Sequence, residues 1–171
     1  FKHHVLVLSD EIHCDITRPG MEYIPFASVS EHCKNNSITC VAPTKTFNLA
    51  GLQTAAVIVP DAALRHRVNR GLNTDEVAEP NVFAAIAPIA AFDRGREWLE
   101  ELREYLWENR KAAEDFIREE IPELRTVSAD ATYLLWIDCN ALPGDLSELA
   151  EFIRKESGLY VCDGREYGNG Y

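Results

Sequence analysis

The sequence predicts an α/β chain in which residues 1–75 supply part of a sheet with parallel-type strands and residues 76–171 form a smaller α+β unit. Three observations carry this. Residues 5–8 read Val-Leu-Val-Leu, a continuous apolar run of the kind found in strands buried on both faces of a parallel sheet. Two more short apolar runs follow at residues 38–41 and 55–59. From residue 81 the apolar period changes to that of a helix, after a shift of composition at residues 72–80.

Taken in order, residues 1–9 open the chain as the first strand, and a polar loop with Pro19, Gly20 and Pro25 leaves it. A short helix is expected at residues 27–34, then the second strand. The third strand is closed by Pro60, and Asp61 begins a helix that carries Arg65, Arg67 and Arg70. Val82, Ile86, Ile89, Phe92, Trp98, Leu99, Leu102, Leu106, Phe116 and Ile117 then predict two helices, or one kinked helix, reaching Pro122, with Trp98, Leu102, Leu106 and Trp107 in the core. A strand at residues 132–137, an amphipathic helix at 146–156 and a short strand at 159–162 complete the second unit.

Composition limits the function classes. The formal charge of −11 opposes a nucleic-acid backbone or an anionic membrane as main partner. No apolar run approaches the roughly 20 residues that span a bilayer, and the first residues do not read as an export signal, so a cytoplasmic location is expected. Cys14, Cys33, Cys40, Cys139 and Cys162 are an odd, widely spaced set without a CxxC pair, which predicts buried free thiols. His3, His4, His13 and Cys14 lack metal-ligand spacing, so no metal is expected.

Two segments carry chemistry. Ser9-Asp10-Glu11-Ile12-His13-Cys14-Asp15 directly follows a strand, and ligand sites in parallel sheets collect at the carboxyl ends of strands. Residues 42–52, Ala-Pro-Thr-Lys-Thr-Phe-Asn-Leu-Ala-Gly-Leu, follow the second strand and place Lys45 in a loop free of acidic residues. Beside Phe47, Leu49 and Leu52, desolvation would favour the neutral amine, which is the nucleophile that attacks an aldehyde. Asn48 and Gly51 are candidates to shape the turn.

Together with PFASVSE, EPNVFA, TYLLWIDC and the final GREYG, the segments SDEIHCD and APTKTFNLAGLQ resemble the fold-type I pyridoxal-phosphate enzymes, in the branch of MalY/PatB-like cystathionine β-lyases and class I–II aminotransferases. The resemblance covers nearly the whole chain and implies its C-terminal part, without the N-terminal half of the large domain and with the small domain incomplete at its end. It implies pyridoxal 5′-phosphate as cofactor. Lys45 would hold it covalently and act as catalytic base, Asp10 would pair with its ring nitrogen, His13 would stand where related aminotransferases contact the ring oxygen with a tyrosine, and Thr44 would offer its hydroxyl to the phosphate. The separation of Asp10 and Lys45, 35 residues, matches those two roles. Ala42 replaces a serine of some relatives, and Gln53 stands where many aminotransferases carry a phosphate-binding arginine; the second departure leans toward the lyases. The implied reaction is α,β-elimination from L-cysteine S-conjugates, with transamination as the alternative, in a homodimer acting on a small amino-acid substrate. The 171 residues alone are expected to be inactive.

Two readings of other classes compete. A non-catalytic interaction module would keep the fold without the cofactor. The string VLVLSDEIH also matches the DExH motif of ATP-dependent helicases, but Lys45 follows the acidic motif instead of preceding it and lacks a glycine-rich phosphate loop.

Overall fold

Branched and aliphatic runs flanked by polar turns produce the expected strands, and the computed structural model, which describes residues 2–3 and 5–168 (Glu166 without its side chain), shows how they pair. Phe1, His4 and residues 169–171, on which part of the first strand and the terminal turn were expected, lie outside the described residues. The backbone groups into two units, residues 1–105 with 130–132 and residues 106–129 with 133–171.

In the first unit β1 (Val7–Asp10) and β2 (Ser37–Val41) run parallel, with Val7 opposite Ser37 and Asp10 opposite Cys40. Their connection holds a single 3₁₀ turn at Phe26–Ser28 and α1 (Glu31–Asn35), so the helix expected at residues 27–34 is split. The split falls at Ser30, whose extended backbone lets Oγ accept from the Cys33 amide at 3.1 Å and start the helix there. β3 (Ala56–Ile58) pairs with β2 antiparallel, Cys40 opposite Val57, so the sheet is mixed and not wholly parallel. The intervening residues form α2 (Pro43–Thr46) and a 3₁₀ turn at Ala50–Leu52, with Asn48 and Gln53 at positive φ. These two left-handed residues reverse the chain; Gly51 does not share that conformation.

The sheet departs from sequence expectation in its covering. Leu6 and Leu8 are 48% and 66% exposed and all of β3 is exposed, while the buried strand residues are Ser37 and Thr39 of β2. The apolar run encodes a strand meant for burial on both faces, and the described residues do not supply the second layer.

Asp61 caps α3 (Ala62–Thr74) through its carboxylate, which accepts from the Leu64 amide at 2.7 Å. α4 (Ile86–Arg94) and α5 (Arg96–Glu120) are two helices separated at Gly95. A Cβ at Gly95 would lie 2.5 Å from Cε1 of Phe47 and would also clash with the Ala91 carbonyl, so the bare backbone is required by close approach. Trp98 is 44% exposed, against the expected core position, although its ring contacts that of Phe47 at a centroid distance of 5.9 Å.

In the second unit β4 (Arg125–Thr126) and β5 (Ile137–Asp138) pair antiparallel. Only the end of the strand expected at 132–137 forms, since Thr132 takes positive φ and turns the backbone away. Arg110 ties this unit together: its guanidinium pairs with Glu114 at 2.8 Å and donates to the carbonyls of Leu134 and Val127. α6 (Leu146–Ser157) is capped by Asp145 and ends at Gly158 in the left-handed conformation. Residues 159–162 are irregular, not a strand, and Leu159 and Tyr160 are exposed.

Candidate functional site

The carboxyl ends of β1 and β2 lie side by side because the strands are parallel neighbours in register. Asp10 is the last residue of β1 and faces Cys40, five residues before Lys45. Two sequence-predicted residues therefore leave the same edge of the sheet, where parallel strands present ligand sites.

Asp10 is exposed, and Oδ1 accepts the Ile12 amide at 3.2 Å, an Asx turn that fixes the carboxylate at the strand end. Its charge, after burial, is one of two causes that push the Cys40 thiol above its ordinary pKa. The ladder continues one step to Glu11, whose amide donates to the Cys40 carbonyl at 2.9 Å. Glu11 is 4% exposed and its Oε1 accepts from Ser9 Oγ and the Phe26 amide, both at 3.0 Å. This carboxylate fastens the loop back onto the strand. Burial, followed by the charge of Glu11 and a hydrogen bond to it, raises the Tyr23 phenol. His13 is half-buried in the tight turn that follows, and its carbonyl accepts the Ile16 amide at 3.0 Å.

Lys45 stands in the four-residue α2. Pro43 and Thr46, three apart, share the buried side of this turn, whereas Lys45 points off it and is exposed. The desolvation expected from Phe47, Leu49 and Leu52 is thus not supplied by these neighbours, which are themselves only half-buried. Thr44 is half-buried and its carbonyl accepts the Leu49 amide at 3.0 Å. Thr46 is fully buried and its Oγ1 donates to Oδ2 of Asp15 at 3.0 Å, joining the lysine turn to the turn after Asp10. Phe47 packs edge-on against Phe92 at 5.4 Å and beside Trp98.

Asp15 has a second effect: burial, then the charges of Asp15 and Glu11 together with a hydrogen bond to Asp15, push the Cys14 thiol up to about 11. Sequence alone assigns no role to Glu11, Asp15 and Thr46. Their types gave a weak signal, since a hydroxyl inside a buried segment requires an acceptor, but a pairing across 31 residues is not visible in one chain. Cys14, Cys33, Cys40 and Cys139 are half-buried free thiols and Cys162 is an exposed one. Among the described residues no group of three or more His, Cys, Asp or Glu is placed to hold a metal ion, and no helix is long and apolar enough to cross a membrane.

The donor set is an amine, a carboxylate and a hydroxyl. Among the described residues, no acidic side chain forms an ion pair with Lys45, and the Asp10 carboxylate accepts only the Ile12 amide. Such a set fits a ligand that joins an aldehyde, a basic ring nitrogen and a phosphate.

A family model, aminotransferase class I and II, matches residues 1–169. Cystathionine beta-lyase PatB of Bacillus subtilis is 39% identical over 169 residues, covering 99% of this chain and 44% of that protein. Cystalysin from Treponema denticola, whose crystal structure contains a pyridoxal 5′-phosphate cofactor, superposes with a TM-score of 0.92 at 28% identity, over 96% of this chain and 42% of its own. A pyridoxal-phosphate-bound C–S lyase from Staphylococcus hominis superposes with a TM-score of 0.77 at 32% identity, over 96% of this chain and 39% of its own. The chain therefore spans less than half the length of the relatives it matches.

Proposed function

The chain belongs to the aminotransferase class I and II family, and from that premise we propose that the full-length protein is a pyridoxal-phosphate-dependent C–S β-lyase that converts L-cysteine S-conjugates such as cystathionine to a thiol, pyruvate and ammonia. The observation that supports the cofactor part of this reading is that Asp10 ends β1 and Lys45 lies four residues beyond the end of its parallel neighbour β2. Family membership displaces the DExH NTPase reading, because the acidic segment and Lys45 fall inside a match to the aminotransferase family.

Pyridoxal 5′-phosphate, when bound, supplies the electron sink for the pair left at the substrate's α-carbon. Lys45 would hold the cofactor through its amine, and that amine, when free, would take the proton from the substrate's α-carbon. Asp10 would keep the ring nitrogen protonated by its negative charge. Thr44 would offer its hydroxyl to the phosphate. His13 lies in the turn after Asp10, and by the family resemblance it would contact the cofactor ring. We assign the boundary between large and small domains to the neighbourhood of residue 75, and propose a cytoplasmic homodimer.

Transamination is the second reading, favoured by the family description itself. Both reactions start with the same proton transfer at Lys45. Visible absorption of the full-length protein with added cofactor, for wild type and Lys45→Ala, tests the shared part: wild type acquires the band of a lysine-bound cofactor and the variant does not. A wild type without that band ends the cofactor assignment. Pyruvate release from cystathionine without an added keto acid marks the lyase, and dependence on a keto acid marks the aminotransferase.

A further inference from the structure

We propose that Asp15 and Thr46 are positioning residues, whose mutual hydrogen bond holds the Lys45 turn in register with the turn that follows Asp10. This rests on the reading of Lys45 as the cofactor-bearing amine. Thr46 is 0% exposed, and its Oγ1 donates to Asp15 Oδ2 at 3.0 Å across 31 residues of sequence. A hydroxyl so deeply buried must find an acceptor, and the carboxylate is the stronger kind. Asp15 is itself fixed: its turn is closed by bonds from the Cys14 amide to the Glu11 carbonyl and from the Ile16 amide to the His13 carbonyl, both 3.0 Å, and Ile16 anchors the exit at 3% exposure.

On the other side α2 is only four residues long, too short to hold its own geometry, with Pro43 and Thr46 turned inward and Lys45 outward between them. Adjacent Cα atoms are about 3.8 Å apart, so any displacement of Thr46 passes directly to the lysine. The Phe47 ring, held by Phe92, Trp98 and the bare Gly95, fixes the following residue. The turn is thereby held by a polar tether on one side of Lys45 and an aromatic wedge just beyond it. The tether joins the lysine to the Asp10 segment itself, so it sets the relative placement of the two groups that act on the cofactor.

The test uses the full-length enzyme with Thr46→Val, which keeps the shape and removes the donor, Thr46→Ser, which restores it, Asp15→Ala, and the double variant Thr46→Val/Asp15→Ala. Hydrogen exchange is followed over residues 43–49 of the cofactor-free protein, and the visible band of the lysine-bound cofactor is titrated with pH. Thr46→Val is expected to speed exchange in that segment and to move the midpoint of the titration. It should lower kcat by about 10- to 100-fold, the scale of an ångström misplacement, with KM within about threefold. Thr46→Ser should return kcat to within about threefold of wild type, since the donor is restored. Asp15→Ala should reproduce the loss, and the double variant should be no worse than Asp15→Ala alone, because the Thr46–Asp15 bond is already absent in it. A folded Thr46→Val or Asp15→Ala protein with unchanged titration and kcat overturns the proposal, as do losses that add in the double variant. Should Thr46→Val fail to fold, Asp15→Ala, altered at a half-buried turn, decides alone. A wild type without a lysine-bound band would sink the cofactor reading instead, and the exchange measurement would still settle whether the tether orders the turn.

Discussion

The Cys14 thiol shows how much of this site is set by buried neighbours. Burial, with Asp15 and Glu11 beside it, moves the thiol from an ordinary 9.0 to about 11. Because the folded value lies above the unfolded one, the stabilisation is fully present below pH 9 and is lost as the pH rises through 11. Native Cys14 should therefore be alkylated at pH 8 about 100-fold more slowly than in urea-unfolded protein, in line with a two-unit difference in thiolate formation. Residue-resolved mass spectrometry of alkylated peptides measures this, and equal native and unfolded rates would contradict it. At this scale the sequence made the positions of Asp10 and Lys45 just beyond two strands legible, whereas the roles assigned to them, to His13 and to Thr44 rest on the family resemblance. Glu11, Asp15 and Thr46 were not legible, because their importance lies in partners brought close only by folding. The exposure of Lys45 was equally hidden: proximity in sequence to Phe47 says nothing about which side of a four-residue turn the amine takes.

Elements were legible where local chemistry decides them. Asp61 and Asp145 as N-caps, Gly158 as a helix end and the helical period of residues 86–120 all fall where side-chain type predicts. The antiparallel pairing of β3 was not legible, because it depends on two left-handed residues, one of them Gln53, a type that rarely marks such a position. Nor was the role of Arg103 in α5. Its side chain is 12% exposed and its Nε and Nη2 donate to the carbonyls of Thr17, Arg18 and Met21 at 2.9–3.1 Å, with Nη2 also reaching Thr17 Oγ1 at 2.6 Å. The loop at residues 17–21 directly follows the Asp15 turn, so this guanidinium joins the backbone bonds to residues 130–132 in ordering that loop. Arg103→Met keeps the aliphatic stem but strands the carbonyls, and should cost about 2–3 kcal/mol in denaturant unfolding. Arg103→Lys should recover less than half of that, since an ammonium cannot reproduce the fork. A loss below about 0.5 kcal/mol, the ordinary range of surface substitutions, would show that the loop is ordered by other contacts.

For the chain as a whole, the balance of exposed and buried apolar surface makes a definite demand. Leu8, Ile58, Phe83, Ile86 and Ile89 are all about half exposed or more, while the fully buried apolar residues are few and small apart from Ile16, Val59 and Ile117. A three-stranded sheet with one uncovered apolar face has little stability of its own, and contiguous exposed apolar surface promotes association even at a formal charge of −11. The relatives are more than twice as long as the matched region, and in a protein of that size further chain can cover these faces. Residues 1–171 expressed alone should accordingly bind a hydrophobic dye, self-associate in light scattering at micromolar concentration, take up cofactor weakly or not at all, and show no turnover. The full-length protein should bind no dye and should form no assembly larger than the proposed dimer. A monomeric, dye-silent 171-residue chain that bound pyridoxal 5′-phosphate stoichiometrically would mean that the exposed faces need no partner, and that the Asp10 and Lys45 edge suffices to hold the cofactor without the rest of a large domain.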